Sequence, residues 1–480
     1  MAALPACGAS RGSEPAVPAE SAAAAEGSTD RSGLPVPGPA SVWAPPAPEL
    51  WQLSGGARVY HRRHGSVPLV SLMLVLPRGS ETDPAGKAGL STLMADMLDE
   101  GAGAYSALEL NERLQALATD YSASASIDSL TLSLHLIEEN FQASVDLLAD
   151  IVRRPRFDEK EFQRRKSQHI AQALASEADA HSGRRAAMYR ALFGDGYASG
   201  LASGTRDTLE TLTLADVKAQ YQRTMVGEGA AFVVIGGIDR DEVNRELERA
   251  FGNWAGTAKV ETQPLENAPG AGKLYFVDYP GAAQSVIGLV RRAPGVDAED
   301  LFSSGVFSRS FGEAFTSRVN LNLREEKGYT YGAVSMFQRF RQAGFFGIFS
   351  DVRTDVTRAS LDEVLKELSD VCGARPLSAA ERDDAVSGSL LGYPASFESI
   401  GLVAGRFSQL PIHGRPLDWF TLWPSRVEAV TLGQANAAAK SYCQRSEFSI
   451  IVAGDKAKVQ PTLDGLGFEL VAVDARGRLL

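Results

Sequence analysis

Cysteine, long apolar runs and excess positive charge are what this 480-residue sequence has least of. Its three cysteines, Cys7, Cys372 and Cys443, form no C-x-x-C pair. That spacing excludes both a disulfide framework and a cysteine zinc site, and Cys372 and Cys443 are expected to be small apolar fillers. The longest apolar stretch of the body runs from Leu69 to Leu76 and contains Ser71. A bilayer span needs about 20 apolar residues, so no transmembrane helix is expected. Lys+Arg total 48 against 59 Asp+Glu, a formal net charge of −11. A basic face able to follow phosphates is not implied, and nucleic acid is not an expected partner. Histidine is also sparse, with six in all. His61 and His64 fall in an expected edge hairpin, where an i, i+3 pair points to opposite faces and reads as surface. His169 and His181 flank a helix rich in Ala and Gln and are expected to be solvated or capping.

What is present reads as ordinary globular protein: 44% hydrophobic and 22% charged residues can bury a core. Residues 1–48 are the exception, dominated by Ala, Pro, Gly and Ser, and read as a disordered tether. Within it, Leu4-Pro5-Ala6-Cys7-Gly8 resembles a bacterial lipobox. On that reading Cys7 is a lipidation candidate, a membrane tether through it is expected, and the chain sits in the bacterial periplasm or on the outer membrane. Read as chance in an Ala/Pro-rich tail, the same residues leave a cytoplasmic protein.

Past the tether, strand-like and helix-like segments alternate. Val67 to Leu76 predicts a buried strand, Gly86 to Glu100 a helix with one apolar face, and Phe311 to Lys327 a helix capped by Gly328. The strongest signal is an internal repeat. Leu212 to Asp216 leads to the apolar run Phe232 to Gly237 and then to Phe251. Roughly 200 residues later, Val430 to Gln434 leads to Phe448 to Gly454 and then to Phe468. Two similar domains follow, over residues 49–260 and 273–480, joined by a Pro/Gly-rich linker at 261–272.

Gly79 to Leu90, with Pro280-Gly281-Ala282-Ala283-Gln284 and Leu323 to Gly332, resembles the pitrilysin/insulinase metallopeptidase family, whose metal motif is H-x-x-E-H. The resemblance implies an α+β chain of two duplicated α/β sandwich domains, like those of mitochondrial processing peptidase, forming half of a clamshell. The motif itself is degenerate. Its positions fall on Thr92, Ala95 and Asp96, and the expected third-ligand turn reads Ala171-Gln172-Ala173. Zinc needs imidazoles at i and i+4 and a glutamate to activate water, and neither is here. No cofactor is expected in this chain. Asp96, Asp99 and Glu100 share one helix face and read as solvated acids rather than a hard-cation site.

The resemblance carries a second pair, Arg324 and Tyr331, which in the family reach from the half without zinc toward the zinc of the opposite half. A guanidinium can anchor a peptide carbonyl or carboxylate, and a phenol can donate to a forming oxyanion. Tyr329, expected on the same strand face, is the nearest confounder. The first functional expectation is therefore a non-zinc subunit paired with a zinc-bearing paralogue and acting on oligopeptide or unfolded peptide. A non-catalytic scaffold and a peptide-binding module with the same fold are the alternatives.

Overall fold

The computed structural model describes residues 43–194, 202–262 and 270–480. Cys7, the tether up to residue 42 and linker residues 263–269 lie outside the described residues. The remainder builds two six-stranded sheets covered by helices. The first contains β1 (Glu49–Gln52), β2 (Arg58–Arg63), β3 (Leu69–Leu76), β4 (Asp120–Ala125), β5 (Leu130–Ile137) and β6 (Ala231–Gly236), in the order β1-β2-β6-β3-β5-β4. The second contains β7 (Lys273–Asp278), β8 (Gln284–Ala293), β9 (Thr330–Arg339), β10 (Gly344–Arg353), β11 (Ser449–Gly454) and β12 (Glu469–Val473), in the order β12-β7-β11-β8-β10-β9.

Both sheets are mixed. In the first, β2 and β6 run parallel and the other neighbours are antiparallel. In the second, β7 is parallel to both β11 and β12. The repeat corresponds to the β6 and β11 regions. Each is entered from a helix with a capping box, Thr213 with Asp216 and Thr431 with Gln434, and each is buried along its whole length. A capping box satisfies two otherwise orphaned amides, a local device worth about 1 kcal/mol.

The helices of the first half are α1 (Leu90–Asp96), α2 (Ala107–Ala116), α3 (Phe141–Arg153), α4 (Glu159–Glu177), α5 (Ala180–Phe193), α6 (Arg206–Thr211), α7 (Leu214–Thr224) and α8 (Arg240–Phe251). The second half adds α9 (Leu301–Ser308), α10 (Arg318–Asn320), α11 (Thr357–Cys372), α12 (Ala379–Gly392), α13 (Ile400–His413), α14 (Trp419–Glu428), α15 (Leu432–Tyr442) and α16 (Lys456–Val459). Two of these cross over. Helix α5 lays Ala187, Met188, Ala191 and Leu192 on Val286, Val290 and Ile451 of the second sheet. Helix α13 lays Val403, Ala404 and Phe407 on Val75, Val233 and Ile235 of the first. With both faces of each sheet covered, the central strands carry unbroken apolar runs rather than alternation.

Several local expectations need correction. Helix α1 starts at Leu90 rather than Gly86 because Gly86 and Gly89 adopt φ of +76° and +93°, outside the right-handed helix, and it ends at Asp96. The expected helix Phe311–Lys327 is broken. A π-helical turn at Arg309–Glu313 ends at extended Ala314, and after α10 a second π-helical stretch covers Leu321–Glu326. Asn320 contributes to the break, donating to Phe315 O at 2.6 Å and accepting from Ala333 N at 3.1 Å. The run still closes at Gly328, with φ of +62°. Strand β2 lies between β1 and β6 rather than at an edge, and His61 is 1% exposed there, with Nε2 at 3.1 Å from Ile238 O. Burial is the main cause of its lowered pKa. Cys372 and Cys443 are not separate fillers; they are joined in a disulfide between the C-terminal ends of α11 and α15, Cα atoms 6.3 Å apart.

Candidate functional site

Helix α1, which carries the degenerate motif, rests on a buried polar foundation. The Asp83 carboxylate accepts from the amides of Ser91 (2.9 Å) and Gly89 (3.1 Å) and from the Ser91 hydroxyl (2.5 Å). Gln220 on α7 donates to the Ser91 hydroxyl at 3.0 Å and to the Thr82 hydroxyl at 2.9 Å. Burial pushes the Asp83 carboxyl up to about 7 against the pull of those donors. Gly89 is required twice, by its positive φ and because an added Cβ would stand 2.9 Å from the Gly204 backbone. The Gly79–Leu90 segment is thus a support for α1, and its polar residues are spent internally.

At the motif positions, Thr92 Oγ1 donates to Ala202 O at 2.5 Å and Ala95 is fully buried. Asp96 is paired: His169 Nε2, on α4, donates to its Oδ2 at 2.7 Å. This corrects the expectation of a solvated His169. It also corrects the reading of Asp96, Asp99 and Glu100 as a solvated face. Glu100 is buried and bonded to Arg164 and Arg165 of α4, while burial pushes the Asp99 carboxyl up to about 6. The Tyr121 hydroxyl of edge strand β4 is buried beside Asp96 and Asp99, which with burial hold its pKa well above the usual value. One imidazole and one carboxylate, already bonded to each other, do not fit a zinc site that needs three or four ligands. Among the described residues no group of three His, Cys, Asp or Glu is arranged to hold a metal ion. The Ala171-Gln172-Ala173 turn lies on α4 with Ala171 and Gln172 exposed.

Arg324 and Tyr331 sit in the second half. Arg324 lies in the π-helical stretch after α10, its guanidinium 4.5 Å from the Phe315 ring centroid and its Nε 3.2 Å from Glu325. Tyr331 is 92% exposed on β9, the outermost strand of its sheet. The β9–β10 register shifts between Ser350 and Val352, so Tyr331 and Gly332 occupy a bulge, a device that re-aims a side chain away from its ladder. Tyr329 precedes the strand and packs partly buried against the second core. It does not share Tyr331's face, and the expected confounder is removed. Among the described hydrogen bonds and ion pairs, none joins Arg324 or Tyr331 to Thr92, Ala95 or Asp96.

One constellation escaped the sequence. Arg341, in the β9–β10 hairpin, donates from Nη2 to Pro77 O at 2.9 Å and Asp128 O at 2.6 Å, and its amide donates to Asp128 Oδ2 at 2.8 Å. Its Nη1 stands 3.6 Å from the buried Glu81 carboxylate, and His413 approaches Asp128 at 3.8 Å. Burial pushes Glu81 up to about 8, with Arg341 opposing, and lowers His413. These residues bind the first half to the second. They lie up to several hundred residues apart in sequence, and no local pattern marks them.

With this geometry in hand, known proteins supply the context. The family of the "Insulinase (Peptidase family M16)" matches residues 58–202, and the "Peptidase M16 inactive domain" matches residues 211–388. The chain belongs to the M16 peptidase family. A curated relative, the non-peptidase homolog YmxG of Helicobacter pylori, is 20% identical over 401 residues, covering 83% of this chain and 92% of that protein. Among solved structures, an M16 inactive-domain protein of Pseudomonas fluorescens superposes with a TM-score of 0.79 at 20% identity, over 85% of this chain and 98% of that one. A chain of complex III2 from Candida albicans gives 0.73 at 15% identity, over 87% and 97%. These superpositions establish the fold, two duplicated α/β units, and nothing finer.

Proposed function

We propose that this chain is the non-zinc subunit of a two-chain M16 metallopeptidase, closing a peptide chamber and presenting Arg324 and Tyr331 to the zinc site of a paralogous partner. The observation that carries this reading is Tyr331, 92% exposed in an edge-strand bulge. A phenol so placed contributes little to its own fold, whereas it is well placed to reach outward. In that role Arg324 holds a peptide carbonyl or carboxylate and the Tyr331 hydroxyl donates to the oxyanion as it forms. The partner supplies the zinc, since the residues at Thr92, Ala95 and Asp96 do not fit it. Closure over an oligopeptide in the chamber is part of the same reading, as is an oxidising compartment such as the periplasm, which the Cys372–Cys443 disulfide favours.

A second reading, a non-catalytic scaffold, draws support from the name of the YmxG relative and from the fold shared with complex III2. The test purifies the chain alone and with the H-x-x-E-H protein encoded beside it, then measures bound zinc and cleavage of a quenched peptide library. A zinc-free, inert chain that accelerates its partner supports the trans role. Inertness of the mixture, with the partner correctly assembled, overturns it in favour of the scaffold.

A further inference from the structure

The second half holds a cavity of about 600 Å³ that the trans role leaves unused. It opens where α9 and α12 meet α13 and α14. Openings of this size suit small organic ligands. Glycines shape it: an added Cβ at Gly305 on α9, or at Gly392 on α12, would meet nothing within 4 Å. Glycine within a helix is less stable than alanine, so packing gives no reason for either residue. The aromatic wall is ordered. Trp423 stacks on Tyr393 at 4.4 Å with planes 10° apart, and Trp419 lies 5.9 Å from Phe302.

Charge on the lining is one-sided, four arginines against the single carboxylate of Glu313. Three of the arginines are engaged by protein groups. Arg339 binds Pro294 O and the Ser304 hydroxyl, Arg415 binds Asp297, and Arg406 binds the Ser396 hydroxyl. Arg309 differs. Its Nη1 is 3.5 Å from Glu313, and its buried Nε has no hydrogen-bond partner among the described residues. Gly388 makes room for it, since a Cβ there would stand 2.7 Å from Nη2. Burial raises the pKa of Glu313, with Arg309 opposing the rise.

We propose that this cavity binds a small apolar carboxylate, its ring or branched chain against Trp419, Trp423 and Tyr393 and its carboxylate on Arg309. A free acid and the C-terminal residue of a peptide share that chemistry. Calorimetric titration of the intact chain uses hydrocinnamate, its neutral amide, and N-acetyl-alanyl-phenylalanine with a free carboxylate. At least one acid is expected to bind saturably, and hydrocinnamamide about tenfold or more weakly than hydrocinnamate if the free acid is the ligand. Binding of hydrocinnamate alone assigns a free acid, and binding of the peptide alone assigns a peptide terminus, with the peptide's C-terminal amide then the weaker analogue. Arg309→Met abolishes the preference for acid over amide. Gly392→Leu, at an exposed position, fills the opening and weakens the bound acid about tenfold or more, which keeps the test decisive if Arg309→Met does not fold. Absence of saturable binding by both acids, equal binding of acid and amide, or unchanged binding in Gly392→Leu overturns the proposal.

Discussion

The two halves share the order of five strands, β2-β6-β3-β5-β4 and β7-β11-β8-β10-β9, and differ in how they place the side chains at the family's motif positions. In the first, the helix that carries the family's metal motif is tied inward: Asp83 holds its N-terminus, Asp96 pairs with His169, and Glu100 is taken up by Arg164 and Arg165. In the second, Tyr331 projects from an edge bulge and Arg324 is half exposed. Where the family motif would join two helices through a metal, Asp96 of α1 and His169 of α4 are hydrogen-bonded to each other. Thr92 and Asp96 are thus bonded within the first half, although the neighbouring buried Tyr121 hydroxyl has no hydrogen-bond partner among the described residues. In the second half the Tyr331 side chain is left in solvent, while Arg324 rests on Phe315 and Glu325.

The largest effect expected from breaking this comparison is in the second half. The disulfide closes a loop of sequence separation 71 between Cys372 and Cys443, and chain-entropy arguments assign such a loop about 4 kcal/mol. Cys372→Ser should lower stability by that order in chemical denaturation. Because α5 and α13 are exchanged between the sheets, the loss should appear in one cooperative transition; two separate transitions would show that the halves fold independently. Next comes the pH response at the contact between halves. The Glu81 carboxyl has an ordinary value of 4.5 and is raised to about 8 in the fold, so the folded state holds a proton that the unfolded state has released. Its contribution is complete below about pH 4.5 and is lost as pH rises toward about 8, at up to about 1.4 kcal/mol per pH unit. Thermal melts across that window should fall with pH in the native chain and be flatter in Glu81→Gln.

A smaller effect is expected at the degenerate motif. The His169–Asp96 contact is only partly shielded, with side chains 14% and 31% exposed, so His169→Ala should cost about 1–2 kcal/mol. A double-mutant cycle with Asp96→Ala should return most of that as coupling. Coupling near zero would mean that α1 and α4 are held by their apolar contacts alone.

These elements differ in how far the sequence reveals them. The repeat is legible because its signals are local: a capping residue, a helical turn and a wholly apolar strand within a few dozen positions. The Gly89 turn and the break after Phe311 are less so, since a glycine-rich approach and two asparagines register only as weak helix formers until their φ angles and side-chain bonds are seen. His169 reads as surface because its partner lies 73 residues away on another helix. The cysteine pair fails for the same reason, its meeting being a property of α11 packing beside α15. Tyr331 is the reverse case. The resemblance singled it out, but its exposure depends on a register shift that no residue type announces.

The smallest structural effect is expected at Tyr331, and its smallness is what makes it informative. A 92% exposed side chain contributes little to stability, so Tyr331→Phe should change the unfolding free energy by less than about 0.5 kcal/mol. If the hydroxyl serves an oxyanion in a partner's site, the same substitution should lower turnover of the reconstituted pair about 10²-fold or more without changing how much complex forms. Arg324→Lys should mainly raise KM, because a lysine keeps the charge but loses the planar fork that grips a carboxylate or carbonyl. A variant that is stable, assembles and turns over at the native rate would remove Tyr331 from the chemistry and leave its exposed bulge as an assembly surface; a stable, assembled but slow variant would place the hydroxyl at the reacting carbon.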